Sequence, residues 1–257
     1  MTGQPHRETS ALVIGGTQGL GLAIAERLRA EGCTRLVVSG RDPRKGEAAA
    51  EALGARFLPV DLEDTDAVIR LVDQAAEAMG RVTALAVAGA LTDRGSILDT
   101  TPDLWDRMMT ANARSPFFAI QRVAQRAIEA GHAASLVNVL SMVVQCGQSF
   151  LAPYSASKAA LANVTKNAAQ ALRTRRIRVN GINCGWMDTP GEDAIQRKYH
   201  GAGDGWLAKA EAAQPFGTLV KPSQVAHLAA FMLGPASGVM TGSIVDFDQN
   251  VAGAYPE

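Results

Sequence analysis

Seven short apolar runs punctuate the chain, at residues 11–14, 36–39, 56–60, 84–88, 135–140, 177–183 and 243–247. Each has the length and the Val, Leu, Ile and Ala content of a β-strand, and residues 84–88 are nearly all apolar, the pattern of a strand buried on both faces of a parallel sheet. Between these runs the period changes to helical. Leu22, Ile24, Ala25 and Leu28 follow the first run, and Val68, Leu71, Val72 and Ala75 share one face of a helix over 65–79. Asp42 and Pro43 predict an N-cap and first turn after the second run. A long helical tract is predicted over 103–127, bent at Pro116, then helices over about 154–173 and 223–233. Strand and helix alternate without a break, which predicts one α/β domain over 1–257: a Rossmann-like, doubly wound, seven-stranded parallel sheet with helices on both faces. Residues from about 190 to 214 are polar, glycine-spotted and irregular by pattern, and read as a substrate lid.

The first run breaks at Gly15-Gly16-Thr17-Gln18-Gly19-Leu20-Gly21, directly before a helix. A glycine turn there lets backbone approach a phosphate and presents free helix N–H groups to the anion. The spacing is GxxxGxG and differs from the GxGxxG fingerprint; a glycine-rich turn without a ligand is the plain alternative. At the end of the second strand an acid would bond a ribose 2′-hydroxyl, whereas an arginine accepts a 2′-phosphate. Gly40 and Arg41 stand there, which favours NADP over NAD.

Composition narrows the chemistry. Hydrophobic residues are 47% and aromatics 5%, so the core is built from small aliphatic side chains, and 25 basic residues balance 25 acidic ones with no long block of either sign. No nucleic-acid or membrane partner is expected. Cys33, Cys146 and Cys184 form no disulfide framework or metal knuckle, and His6, His132, His200 and His227 show no ligand spacing, so no metal is expected. Residues 1–10 lack the apolar stretch of a secretion signal, and no run is long enough to span a bilayer. The expectation is a cytoplasmic protein.

One pair of residues suggests acid–base work. In a helix Tyr154 and Lys158 lie at i and i+4 on one face. A cation beside a phenol, which titrates near ~10, favours the phenolate and fits the tyrosine to move protons. Such a pair is also common without catalysis. Ser141 ends the fifth strand, where the crevices of open α/β sheets lie. Asn112, a poor helix former, sits in the middle of a predicted helix, which suggests a specific task.

With Gly15, Gly19 and Gly21, then Asn112, Ser141, Tyr154 and Lys158 in this order, the chain resembles the short-chain dehydrogenase/reductase family along nearly its whole length. The resemblance implies an NAD(P)-dependent oxidoreductase that interconverts a secondary alcohol and a ketone. Tyr154 would exchange the proton, Lys158 would lower its pKa and hold the nicotinamide ribose, Ser141 would bond the reacting oxygen, and Asn112 would support a relay water. It further implies Thr17, Gln18 and Leu20 at the phosphates, Asp61 and Leu62 at the adenine, Ala88 and Gly89 at the adenosine ribose, and Gly185, Met187 and Thr189 at the carboxamide. A homotetramer is the family habit.

Three stretches depart from the family pattern. Ala86-Val87-Ala88-Gly89 replaces Asn-Asn-Ala-Gly, so apolar packing must substitute for side-chain bonds in the central sheet. Cys184-Gly185 replaces Pro-Gly, and Asp248-Gln249-Asn250 replaces Asp-Gly-Gly. The substrate wall is expected from Val143, Cys146, Gln148, Phe150 and Trp186, with lid residues Asp193, Arg197, Tyr199 and His200. This favours a small polar hydroxy or keto compound. The alternative is a non-catalytic dinucleotide-binding protein serving regulation or scaffolding; a methyltransferase would leave Tyr154 and Lys158 without a role.

Overall fold

The computed structural model describes residues 4–254, so the first three residues of the polar N-terminal stretch lie outside the described residues. The strands are Ser10–Ile14 (β1), Arg35–Gly40 (β2), Arg56–Pro59 (β3), Ala84–Val87 (β4), Ala134–Ser141 (β5), Ile177–Cys184 (β6) and Ile244–Phe247 (β7). The helices are Gly19–Ala30 (α1), Pro43–Leu53 (α2), Thr65–Met79 (α3), Pro102–Met109 (α4), Ser115–Glu129 (α5), Ala152–Leu172 (α6), Pro190–His200 (α7), Trp206–Ala212 (α8) and Pro222–Leu233 (α9). All strand pairs are parallel, in the order β3-β2-β1-β4-β5-β6-β7. The chain runs outward from β1 to β3, returns to β4 beside β1, and runs outward again. The β1/β4 boundary is the switch point, and a crevice opens at the carboxyl ends there.

The period of two along β1 divides the core. Ala11 and Val13 pack into one cluster, with α1 and α9, and Leu12 and Ile14 into the other, with α3 and α5. Ala86 and Val87 are buried in the two clusters respectively, so apolar packing fills the centre of the sheet as expected. Asp42 caps α2 through Arg44 N–H at 2.9 Å, with Pro43 in the first turn.

Two expectations are corrected. The tract over 103–127 is not one regular helix. It is interrupted before Pro116 by a wide turn, Thr110–Arg114, in which Ser115 N–H bonds the Thr110 carbonyl five residues back. Pro116 falls in the first turn of α5, where its missing N–H costs little. The lid region is not irregular either: it holds α7 and α8. Thr189 caps α7 by accepting from Glu192 N–H at 3.0 Å, and Gly201 ends it with φ 61°.

Buried His6 fastens the N-terminal stretch, with Nε2 3.0 Å from the Ala230 carbonyl and Nδ1 3.0 Å from Thr9 Oγ1. Burial lowers its pKa from the ordinary 6.5, against an opposing pull from the Ala230 bond and Glu31. Below about pH 6.5 the unfolded chain therefore binds the proton first, and stability is lost as pH falls through that window towards the folded-state pKa. His6→Gln should show a smaller drop in urea midpoint between pH 7.5 and pH 5.5 than the parent. An equal drop would remove His6 from this role.

Candidate active site

A cleft of about 970 Å³ opens at the carboxyl end of the sheet. The first residue beyond every strand lines it: Gly15, Arg41, Val60, Ala88, Met142, Gly185 and Asp248. At its floor Gly15 adopts φ 80°, and a Cβ there would stand 2.3 Å from the Gly89 nitrogen; one on Gly21 would stand 2.0 Å from the Gly15 carbonyl. Only glycine permits this closeness of turn, helix and β4. α1 begins at Gly19 with no side-chain cap and no acid in its first turn. Its free N–H groups and positive dipole end are thus available to an anion in the cleft. Thr17, Gln18, Gly19 and Leu20 line the same wall. This cradle fits the pyrophosphate of a dinucleotide.

Arg41, Asp61, Leu62 and Gly89 line the end of the cleft near β2 and β3. Arg41 is exposed, and its nearest carboxylate, Glu63, is 4.0 Å away. Glu63 is occupied by Arg107, which donates at 2.6 and 3.3 Å and holds its carboxyl below the usual range. Arg41 is therefore only loosely engaged. Lys45, which sequence reasoning missed, donates to Gln18 Oε1 at 2.9 Å and adds a second cation beside the glycine turn. Its place in the exposed first turn of α2 gives no local signal.

Ser141, at the end of β5, Tyr154, in the first turn of α6, and Lys158, one turn further, meet in the middle of the cleft. Lys158 is buried, donates to the Val139 carbonyl at 2.8 Å, and lies 5.8 Å from the centre of the Tyr154 ring. Burial pushes Tyr154 up to about 12, against smaller downward pulls from the Ser141 hydroxyl and Arg94, and pushes Lys158 down to about 8. The net displacement of the tyrosine is thus upward, opposite to the lowering expected from Lys158, because loss of solvent outweighs the downward pulls. Cys184 lines the same cleft, near enough to Lys158 to feel its charge, with its thiol raised to about 12 by burial.

Asn112 does not line the cleft. In the wide turn behind the wall its Oδ1 accepts from Leu91 N–H at 2.8 Å, while its Nδ2 donates to the Leu91 carbonyl at 2.8 Å and to Ser157 Oγ at 3.0 Å. It braces the segment after β4 against α6.

At the substrate end Val143, Cys146, Gln148, Phe150, Trp186 and His200 line the cleft, along with Gly185, Met187 and Thr189. Of the expected lid residues, Asp193, Arg197 and Tyr199 do not line it. Asp193 takes Arg197 at 2.9 Å and Trp206 Nε1 at 2.7 Å, and Tyr199 donates to Asp93 at 2.7 Å. These pairs lash α7 to α8 and to the segment after β4. Sequence reasoning missed Arg94 and Glu192, which do line the cleft; Glu192 accepts from Trp186 Nε1 at 2.8 Å and Gln196 at 2.7 Å.

A phosphate cradle at a switch point, joined to a serine–tyrosine–lysine cluster whose lysine is buried, is the architecture of a nicotinamide-dependent oxidoreductase. A family model described as enoyl-(acyl carrier protein) reductase matches residues 15–250. The NADP-dependent (R)-specific alcohol dehydrogenase of Lentilactobacillus kefiri is 31% identical over 239 residues, covering 91% of this chain and 92% of that protein. The cis-4-hydroxycyclohexanecarboxylate dehydrogenase of Sinomonas cyclohexanicum is 31% identical over 252 residues, covering 96% and 97%. Among solved structures, a variant of actinorhodin polyketide ketoreductase with NADPH superposes with a TM-score of 0.86 at 26% identity, covering 93% of this chain and 96% of that one. The chain belongs to the short-chain dehydrogenase/reductase family, and is an oxidoreductase of that family acting on CH–OH groups.

Proposed function

We propose that the protein interconverts a small polar ketone and its secondary alcohol with NADP, and that Tyr154 exchanges the proton. The observation that carries this reading is the meeting of Ser141, Tyr154 and Lys158 in one cleft with the glycine cradle. The bound cofactor supplies the hydride, and its oxidised ring adds a positive charge. With a pKa near 12 the phenol keeps its proton at neutral pH and is ready to donate to a carbonyl oxygen becoming an alkoxide. Ser141 offers that oxygen a second hydrogen bond. Lys158, fixed by Val139, holds a cation close to the phenol, and at pH values above about 8 that cation is progressively lost. Asn112 acts as a positioning residue through Leu91 and Ser157. α7 and α8 serve as the lid, and exposed Trp105 and Phe117 on α4 and α5 support a homo-oligomer, proposed as a tetramer.

Loosely held Arg41, with Lys45 nearby, supports NADP over NAD. The test is a ketone screen run with NADPH and NADH. Arg41→Ala should reduce the NADPH:NADH ratio of kcat/KM roughly 10- to 100-fold, the worth of charge-assisted bonds to one phosphate. An unchanged ratio would count against the assignment, and no cofactor oxidation with any ketone would count against the reaction.

A further inference from the structure

Arg94 is a cation in the cleft that the reaction leaves unused. Arg94 lines the cavity, and its guanidinium lies 5.2 Å from the centre of the Phe150 ring and 5.8 Å from that of Tyr199. Nη2 is 3.1 Å from His200 Nε2, Nη1 reaches the Thr92 carbonyl at a long 3.5 Å, and Nε is buried with no partner. No carboxylate among the described residues lies within 4.0 Å of it. Its neighbour Asp93 is turned to Tyr199 and Lys198 instead. A half-buried guanidinium between two rings, with a donor unused, lacks the counter-ion that such a position demands.

The backbone holds Arg94 in this place. Gly95 N–H bonds the Phe150 carbonyl at 3.0 Å and Ala152 N–H bonds the Gly95 carbonyl at 2.9 Å, which docks the segment on the start of α6, two residues before Tyr154. Arg94 is close enough to Tyr154 for its charge to favour the phenolate. The lid side of the cleft carries the opposite sign in Glu192.

We propose that the substrate is a keto acid or hydroxy acid and that Arg94 receives its carboxylate; this rests on the reductase reading above. One planar fork matches one carboxylate. A phosphate, with its higher charge, favours a second cation, and Lys198, which like Arg94 lies over the Tyr199 ring, is paired with Asp93. Glu192, on the lid side of the same cleft, repels an anionic group and leaves it to Arg94.

Two measurements separate this inference from the reductase reading. Direct calorimetric binding of cyclohexanecarboxylate and cyclohexanecarboxamide, with NADP present, needs no turnover. The carboxylate should bind roughly 10- to 100-fold more tightly than the amide, Arg94→Gln should erase most of that ratio, and Arg94→Lys should restore part of it. Equal binding of the two ligands, or an equal loss of both in Arg94→Gln, as expected if the arginine only clasps the lid, would overturn the proposal. The second measurement compares kcat/KM for 4-oxocyclohexanecarboxylate and its amide. Preference for the acid that vanishes in Arg94→Gln supports the assignment, and turnover favouring the amide overturns it. Carboxylate-selective binding without turnover of any ketone would overturn the reductase reading and leave the anion site standing.

Discussion

Tyr154→Phe should lower kcat by roughly 10²- to 10⁴-fold, the usual contribution of a positioned proton donor. NADPH should still bind, because the glycine cradle and Arg41 are untouched, and a fluorescence titration of the cofactor checks this. The ring should keep its place in the first turn of α6, so the loss is confined to one oxygen. The direction of the pKa displacement decides which half-reaction shows it most clearly. A phenol near 12 is fully protonated at pH 7 and suits carbonyl reduction. Alcohol oxidation needs the phenolate, so its rate should rise with pH in the parent and lose that rise in the variant. Full reduction activity in Tyr154→Phe would end the proposed mechanism.

Gly15→Ala should be a severely damaging conservative change in the cradle. It meets two obstacles: a φ of 80°, unfavourable for a residue with Cβ, and the Gly89 nitrogen at 2.3 Å. Together these should cost about 2–5 kcal/mol of stability and weaken cofactor binding by at least roughly tenfold, because the turn or the end of β4 must move. Gly19→Ala is the matched control. Its φ is 54°, but the nearest atoms to a Cβ there belong to Thr189 at 3.6 Å, so only the backbone term of about 1–2 kcal/mol applies. Urea unfolding and NADPH titration of both variants check the contrast; equal losses would show that the contact with Gly89 does not matter.

Much of this was legible in the residues. Seven apolar runs matched seven strands to within a few residues, because a buried parallel strand must be apolar whatever its neighbours do. The glycine turn, Ser141, Tyr154 and Lys158 were placed by their position at strand ends and helix starts, and all line one cleft. The lid helices were missed because no residue of α7 is buried. A helix held by caps and ion pairs carries little apolar stripe, although Thr189-Pro190 with Glu192 and the later Gly201 were available as start and stop signals. The Tyr154 pKa was misjudged because spacing reports a neighbouring cation and not the loss of solvent. Arg94 differs from a surface arginine by its partial burial between two rings in the cleft, which is a property of tertiary structure.

The wide turn at Thr110–Arg114 has a mechanical effect beyond seating Asn112. One extra residue in a helical turn rotates everything after it by roughly 100°. α4 packs on α6, whereas the stripe Ala119, Ile120, Val123, Ala124 and Ala127 of α5 fills the core beside α3. A regular helix through both segments could not aim its apolar stripe at both partners. The turn is a phase shifter in an otherwise continuous rod, and the asparagine bonded to Leu91 is the pin that sets where the shift occurs.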